Sequence, residues 1–496
     1  AGYGAAAWQN DGIIDANVAG QILTVGNATF TNNGTAKATA GTLFISATNF
    51  VNNSGHTLQS AGGTTTLNAT TWTNSGTFDA SSGTLDVGGS FTLAGLGTLN
   101  HSGGAFNISG TLDLATGSIN IASGGTFGAG GLGTLSGTIK NGTISGAIGG
   151  TTLTSSNGTL DNVTLATSIT ESGTLNIKNT VTLANGTTFD TGSNTVFFSS
   201  SNATIAAAGT ATLLKSGGNL STNGNFTSII GAGVTVQGYG ALTNAGYGAA
   251  AWQNDGIIDA NVAGQGFSLG NATFTNAAGA AIKIANGASI NLTATTFNQS
   301  GLIQIAGGTL TRTGGNLTNA SGATLSGYGT INLGSFTLIN NGAISVGDAG
   351  ASTLGLLSLT GNFSQGASGT LSVDIGGPYR GLTYDALDVM GTATLAGTLA
   401  ANHVNGFTAG AVEAFHLVRA TTLSGTFATV TQPGPYTAVY GGANMVLGIG
   451  LTGITEWNTN SSGNWGTAGN WTNGIPTATK VAIIDRQSAS PTITVD

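Results

Sequence analysis

An aromatic or leucine residue followed shortly by Asn and Gly returns along this chain at nearly fixed intervals, and nothing else in the sequence limits the fold so tightly. The phrases ATFTNNG, TNFVNNSG, TTWTNSG and SFTLAG place Phe30, Phe50, Trp72 and Phe91 at spacings of 20, 22 and 19 residues. Further on, Phe274, Phe297, Leu317 and Leu338 fall at 23, 20 and 21. A unit this short cannot bury its own Leu, Val and Phe, whereas a stack of such units shares one continuous core, so the period predicts a solenoid. Between the anchors runs a second pattern, Thr-Leu-x-aliphatic, at Thr84–Val87, Thr111–Leu114, Thr174–Ile177 and Thr370–Val373. Its alternation is that of a strand with Leu and the aliphatic inward and Thr outward. Two or three such strands per coil, each paired with its equivalents above and below, make a parallel β-helix. About 20 coils at roughly 4.8 Å each would give a rod on the order of 100 Å. Asn and Thr at equivalent positions are expected to stack as hydrogen-bonded ladders.

Composition decides between this and its rivals. Gly supplies 85 of 496 residues and charged residues only 6%, which would suit disorder, but 40% of the chain is hydrophobic and recurs in short alternations. Few Pro and little Glu, Lys or Arg argue against linkers and helices. The net charge of -8, with ten scattered Lys and Arg, offers no basic face for nucleic acid. There is no Cys, hence neither disulfides nor cysteine-ligated metal. No apolar run approaches a membrane span, and the first residues lack a basic signal-peptide start, which leads to the expectation that the chain is an interior piece of a longer precursor. A longer repeat overlies the short one: AGYGAAAWQNDGIIDANVAGQ stands at Ala1–Gln21 and again, identically, at Ala245–Gln265.

LTNAGYGAAAWQNDGIIDANVAG, FTNNGTAKATAGTLFI and WTNSGTFDASSGTLDV resemble the recurring coils of bacterial exoproteins related to filamentous haemagglutinins and autotransporter passengers. The resemblance covers most of Ala1–Pro378 and implies an all-β, right-handed parallel β-solenoid with coils of about 20 residues. Residues Tyr384–Gly450, from YDALDVMGTATLAGTL to YTAVYGGANMVLGIG, resemble the module that closes solenoid segments in autotransporter-like proteins, implying a β-rich cap over an otherwise open edge. WNTNSSGNWGTAGNWTNGIP, from Trp457, resembles the Gly-Asn-Trp repeat that heads further units. The expected division is therefore two solenoid blocks, 1–244 and 245–378, a capping module at 379–452, and the start of another solenoid unit at 453–496.

Catalytic residues are scarce. The close carboxylate pairs are Asp11 with Asp15, their copies Asp255 with Asp259, and Asp385 with Asp388. The first two pairs lie in QNDGIIDAN, where Asp beside Gly is a turn former. Asp385 and Asp388 are calcium candidates set against the plainer reading of a solvated strand edge. His56, His101, His403 and His416 are isolated, without zinc spacing. The Gly128–Gly137 run GAGGLGTLSG lacks the Lys and helix of a phosphate loop and reads as a corner. Trp72 takes a core anchor position, whereas Trp465 and Trp471 are candidates for stacking on carbohydrate. Asn27-Ala28-Thr29 is one of many sequons that this composition generates by chance.

These readings predict a non-enzymatic, secreted or cell-surface fibre, adhesive or structural, without cofactor. Its partners would be host, neighbour-cell or matrix surfaces, or further copies of itself assembled head to tail or laterally. The rivals are a subunit of an extracellular filament, an ice binder, for which the Thr spacing is too irregular, and a polysaccharide-active β-helix enzyme. The enzyme would require carboxylates gathered on one face once the coils are in register.

Overall fold

The structure, a computed structural model, describes residues 6–347, 353–410, 413–457, 461–484 and 492–495. It is a parallel β-solenoid of about 16 turns with coils of roughly 22 residues. The described residues contain no α-helix, only 3-10 turns at Ala94–Leu96 and Ala468–Asn470. The chain divides into two compact units, Ala1–Ile257 and Ile258–Asp496, the boundary lying inside the second copy of the duplicated segment.

In the first unit the predicted anchors stack in register. Trp8 pairs with Phe30, Phe30 with Phe50, and Phe50 with Trp72. The Trp72 ring then lies 5.1 Å from that of Phe91. Two more columns complete each coil, one through Thr35, Thr57, Thr77 and Thr98 and the other through Thr42, Thr64 and Thr84. In Thr29–Asn32, Thr35–Ala38 and Thr42–Ile45 every second side chain is buried, with Phe30, Ala36, Leu43 and Ile45 inside and Thr outside. This is the period-2 alternation of the sequence expressed on three faces. Corners use residues that tolerate left-handed backbone, notably Asn141, Asn162 and Asn179 at φ between 52° and 58°. Gly238, at φ 111°, admits nothing larger: a Cβ there would stand 1.9 Å from the Lys215 carbonyl oxygen.

A buried amide ladder crosses the coils beside the anchors. Asn10 Nδ2 donates to Asn32 Oδ1 (2.8 Å), Asn32 to Asn52 (2.8 Å) and Asn52 to Asn74 (2.7 Å), after which Asn74 Nδ2 donates to the Leu96 carbonyl oxygen (2.6 Å). Each amide of the first three also bonds a main-chain carbonyl at the next corner, on Thr35, Thr57 and Thr77. Anchors and ladder thus occupy alternate inward positions of one strand, Phe30 beside Asn32.

The second unit repeats the scheme. One column runs through Ile282, Ile303, Leu325, Ile344, Leu371, Leu399 and Val430. Successive spacings along it are 21, 22, 19, 27, 28 and 31 residues. The expected count of about 20 coils is thereby corrected to about 16 turns, because the late coils lengthen and the same chain makes fewer of them. The amide ladder reappears as Asn276 to Gln299 (2.8 Å), Asn319 to Asn340 (2.9 Å) and Asn340 to Gln365 (2.8 Å). The parallel run ends with Ala414–Gly425 and Thr429–Thr431, which lie parallel on Ala386–Leu395 and Thr398–His403. Strands Tyr436–Gly441 and Asn444–Ile449 form a hairpin, and Asn444–Ile449 lies antiparallel on Ala414–Gly425. The hairpin falls within the 379–452 segment expected to cap the solenoid and occupies an edge that would otherwise present unpaired N–H and C=O groups, while Ala386–Leu395 and Thr398–His403 of the same segment continue the parallel columns. Beyond it, Gly453–Glu456 pairs in parallel with Lys480–Ile483.

Candidate functional site

The charged residues of the second unit concentrate beneath this hairpin. Asp388, on strand Ala386–Leu395, is buried and held by two guanidinium groups: Arg380 at 2.6 Å and Arg419 at 2.5 Å. Burial alone would raise its carboxyl, but Arg380 and Arg419 hold it below the usual carboxylate range. Arg380 is fixed in turn by the His416 carbonyl oxygen at 2.9 Å, and the His416 amide donates to the Tyr384 hydroxyl at 3.2 Å. His416 itself is pushed down to about 4, first by burial and then by Arg380, and its Nε2 lacks a hydrogen-bond partner. A cavity of about 300 Å³ opens on one side, lined in part by Asp388, Met390, Arg419, Asn444, Glu456 and Trp457. The Asn444 amide donates to Glu456 across it.

Asp385 lies three residues away in a different setting. It is fully buried, and its two oxygens accept main-chain N–H groups of Gly355 (2.7 Å) and Asp374 (2.9 Å). Burial pushes its carboxyl up to about 7 against those two hydrogen bonds, with Asp374 adding to the rise. The two calcium candidates are therefore neither a solvated strand edge nor a joint ligand pair. Arginines already occupy the Asp388 oxygens, and Asp385 is spent clasping the backbone. Among the described residues no three His, Asp or Glu side chains gather as metal ligands.

The remaining sequence candidates are held singly. Asp11 accepts from Gln9 and Asn33, while Asp15 faces Lys37 at 3.7 Å. In the second copy Asp255 accepts from Gln253, and burial raises Asp259, which Lys283 partly offsets. His101 is buried between the carbonyl oxygens of Phe127 and Gly104, both at 2.7 Å, in the glycine-rich corner, and His403 meets the Tyr436 hydroxyl at 2.7 Å. Trp72 is in the core as expected. Trp471 is not a sugar platform: it is 3% exposed, set edge-on against Trp457 (5.1 Å) and Trp465 (4.8 Å), and its indole N–H donates to the Trp465 carbonyl oxygen. Three indoles form the core of a small module, leaving only Trp465 partly exposed.

Among the buried charges that sequence reasoning missed are Glu171 and Lys215. The signal was present, since alternation in Ile169-Thr170-Glu171 and Leu213-Leu214-Lys215 assigns both to the inward parity of their strands.

No protein-family model and no curated protein matches the chain. Among solved structures it is similar to the crystal structure of the Haemophilus influenzae Hap adhesin, at 12% identity and a TM-score of 0.32, over 86% of this chain and 63% of that one. The chain thus spans less than two thirds of that structure, and likeness at this level says nothing about what it binds.

Proposed function

We propose that this chain is the body of a bacterial surface fibre of the filamentous-haemagglutinin and autotransporter-passenger kind, exported and adhesive rather than catalytic. The observation that carries the reading is the repetition of outward-facing polar side chains from coil to coil. Thr35, Thr57, Thr77 and Thr98 form one row and Thr42, Thr64 and Thr84 another. A surface tiled with the same uncharged hydroxyls at strand spacing offers many weak, equivalent contacts to a polymeric or cellular surface, and such contacts gain strength through number. Outward carboxylates are dispersed among amides: Asp79 takes Gln59 and Asn100, and Asp86 takes Asn107. That arrangement favours the fibre over a polysaccharide-active enzyme. Head-to-tail stacking into a filament would need a free parallel edge where the hairpin Tyr436–Ile449 instead lies, so the tethered adhesin is the better-supported member of its class.

The test is retention of beads carrying the purified chain on bacterial and host cell layers and on extracellular polysaccharide, under flow and against albumin-coated beads. Retention several-fold above albumin on at least one surface is the expected result. Equal release from all of them sinks the adhesive reading.

A further inference from the structure

One column of the first unit carries charge in alternation along its outward side. Strand register sets Asp113 beside Lys140, Lys140 beside Asp161 and Asp161 beside Lys178, one from each of four successive coils. Their inward neighbours Leu112, Ile139, Leu160 and Ile177 are fully buried, so the four charges share the opposite, solvent side of the sheet. A second outward rank, Thr111, Thr138, Thr159 and Asn176, runs beside them. Uncharged Thr92 precedes Asp113 in the row. At Asp15 and Lys37, by contrast, the acid-base step stops after one pair, with Gln59 next.

Within the chain these charges are incompletely matched. Lys140 reaches Asp113 at 3.2 Å, yet the two side chains stay 34% and 33% exposed. Asp161 accepts the Asn179 amide at 2.6 Å and has no Lys or Arg partner among the described residues. Lys178 is exposed and makes no ion pair there either. Asn141, Asn162 and Asn179, held at left-handed φ along the adjoining corner, brace the row: Asn141 donates to Asp113 at 3.2 Å and Asn162 to Asn141 at 3.4 Å. Charges of alternating sign therefore face outward at intervals of about 4.8 Å, and Asp161 and Lys178 are left without a counter-ion.

We propose that two copies of this chain join face to face and antiparallel through this row, about a two-fold axis that crosses it between Lys140 and Asp161. Asp, Lys, Asp, Lys read backwards is Lys, Asp, Lys, Asp. The axis therefore sets Asp113 opposite the partner's Lys178 and Lys140 opposite the partner's Asp161, so one self-complementary patch makes four pairs of opposite sign. A slip of one coil brings like charges together, and a parallel arrangement in register does so at every coil, so charge fixes both direction and register. Exposed pairs are individually weak and are screened by salt, and the contact gains strength where many copies meet. It goes beyond attachment to foreign surfaces, since it needs only copies of this chain.

Clustering of beads coated with the full chain, against albumin-coated beads, tests the contact with no other surface present. The chain-coated beads should cluster several-fold more than the control at low salt and disperse at about 1 M salt, where screening reaches within about 3 Å. Lys140→Asp with Lys178→Asp makes the row wholly acidic, and Asp113→Lys with Asp161→Lys makes it wholly basic. Each double variant, checked for retained β-structure by circular dichroism, should lose self-clustering, and the two bead sets mixed should cluster again. The chain has no Cys, so Asp113→Cys and Lys178→Cys in separate chains read the register by a milder change. Mixed and oxidised, these two should link to each other several-fold more than either links to itself, because like positions lie about 14 Å apart across the axis. Parent beads that stay dispersed, clusters that survive high salt, self-clustering by both double variants, or cross-linking without preference for the mixed pair overturns the proposal. Bead retention on cells and polysaccharide is read separately, so failure here is distinguishable from failure of the adhesive reading.

Discussion

Single side chains carry two separate accounts of stability. In the amide ladder most donors point to the next coil, and one break lies between Gln299 and Asn319: the two sit opposite each other, but Gln299 Nε2 turns to the Gly301 carbonyl oxygen at 2.8 Å, leaving Asn319 Oδ1 buried without a partner. Every Asn-to-Asn step bridges the same gap, so Gln299→Asn should restore the missing bond and raise unfolding stability by about 1 kcal/mol, measured by denaturant melts. A gain of zero or a loss would mean that the longer Gln arm is the better fit. Asp385 makes the second account. Its folded carboxyl is raised to about 7, above its unfolded value near 4, so its contribution is complete at lower pH and fades as pH rises through that window. Asp388 has the opposite sign, since its lowered folded value makes its contribution disappear only in acid. Asp385→Asn should therefore flatten the fall in melting temperature between about pH 4 and pH 7 while leaving the acid limb intact. An unchanged slope would remove Asp385 from the explanation.

Elements show how far the sequence alone could be read. The anchors Phe30, Phe50 and Trp72, the Thr-Leu-x-aliphatic strands and the stacking of Asn were legible because a period of about 20 and an alternation of 2 leave no other arrangement that buries Leu and Phe. Corner lengths were not legible, because Gly, Ser and Asn permit a corner of almost any size, and so the late coils of 27 to 31 residues escaped. Nor were the partners of Asp388 legible, since Arg419 reaches it only through the register of Ala414–Gly425 on Ala386–Leu395, and Arg380 only through the fold of the turn before Tyr384. The duplicated segment makes the role of neighbouring coils measurable. Trp252, lying on Thr227–Ile230 with its N–H on the Thr243 oxygen, is 1% exposed, whereas the same residue in the first copy, Trp8, is 59% exposed. Placing a second copy of Ala211–Asn244 directly before Ala1 recreates the junction found at Asn244–Ala245. Trp8 should then lose acrylamide quenching in a Trp8-only variant whose other indoles are Phe, and persistent quenching would show that sequence identity does not bring identical seating.

At the scale of the whole molecule, stability in a solenoid is close to a sum over coils and their nearest-neighbour contacts, so no single coil is decisive and loss spreads from an end. Around Tyr436–Ile449 the strands run antiparallel and close on Ala414–Gly425. The Asn10–Asn32–Asn52–Asn74 ladder ties successive coils together one bond at a time. Under mechanical load from the N-terminal side these ties act in series, so the first unit should peel as a train of small, evenly spaced yields, each paying out about one coil of chain, on the order of 70 Å. Coils joined in this way resist a sudden pull by lengthening, and dissipate the work of the pull one coil at a time.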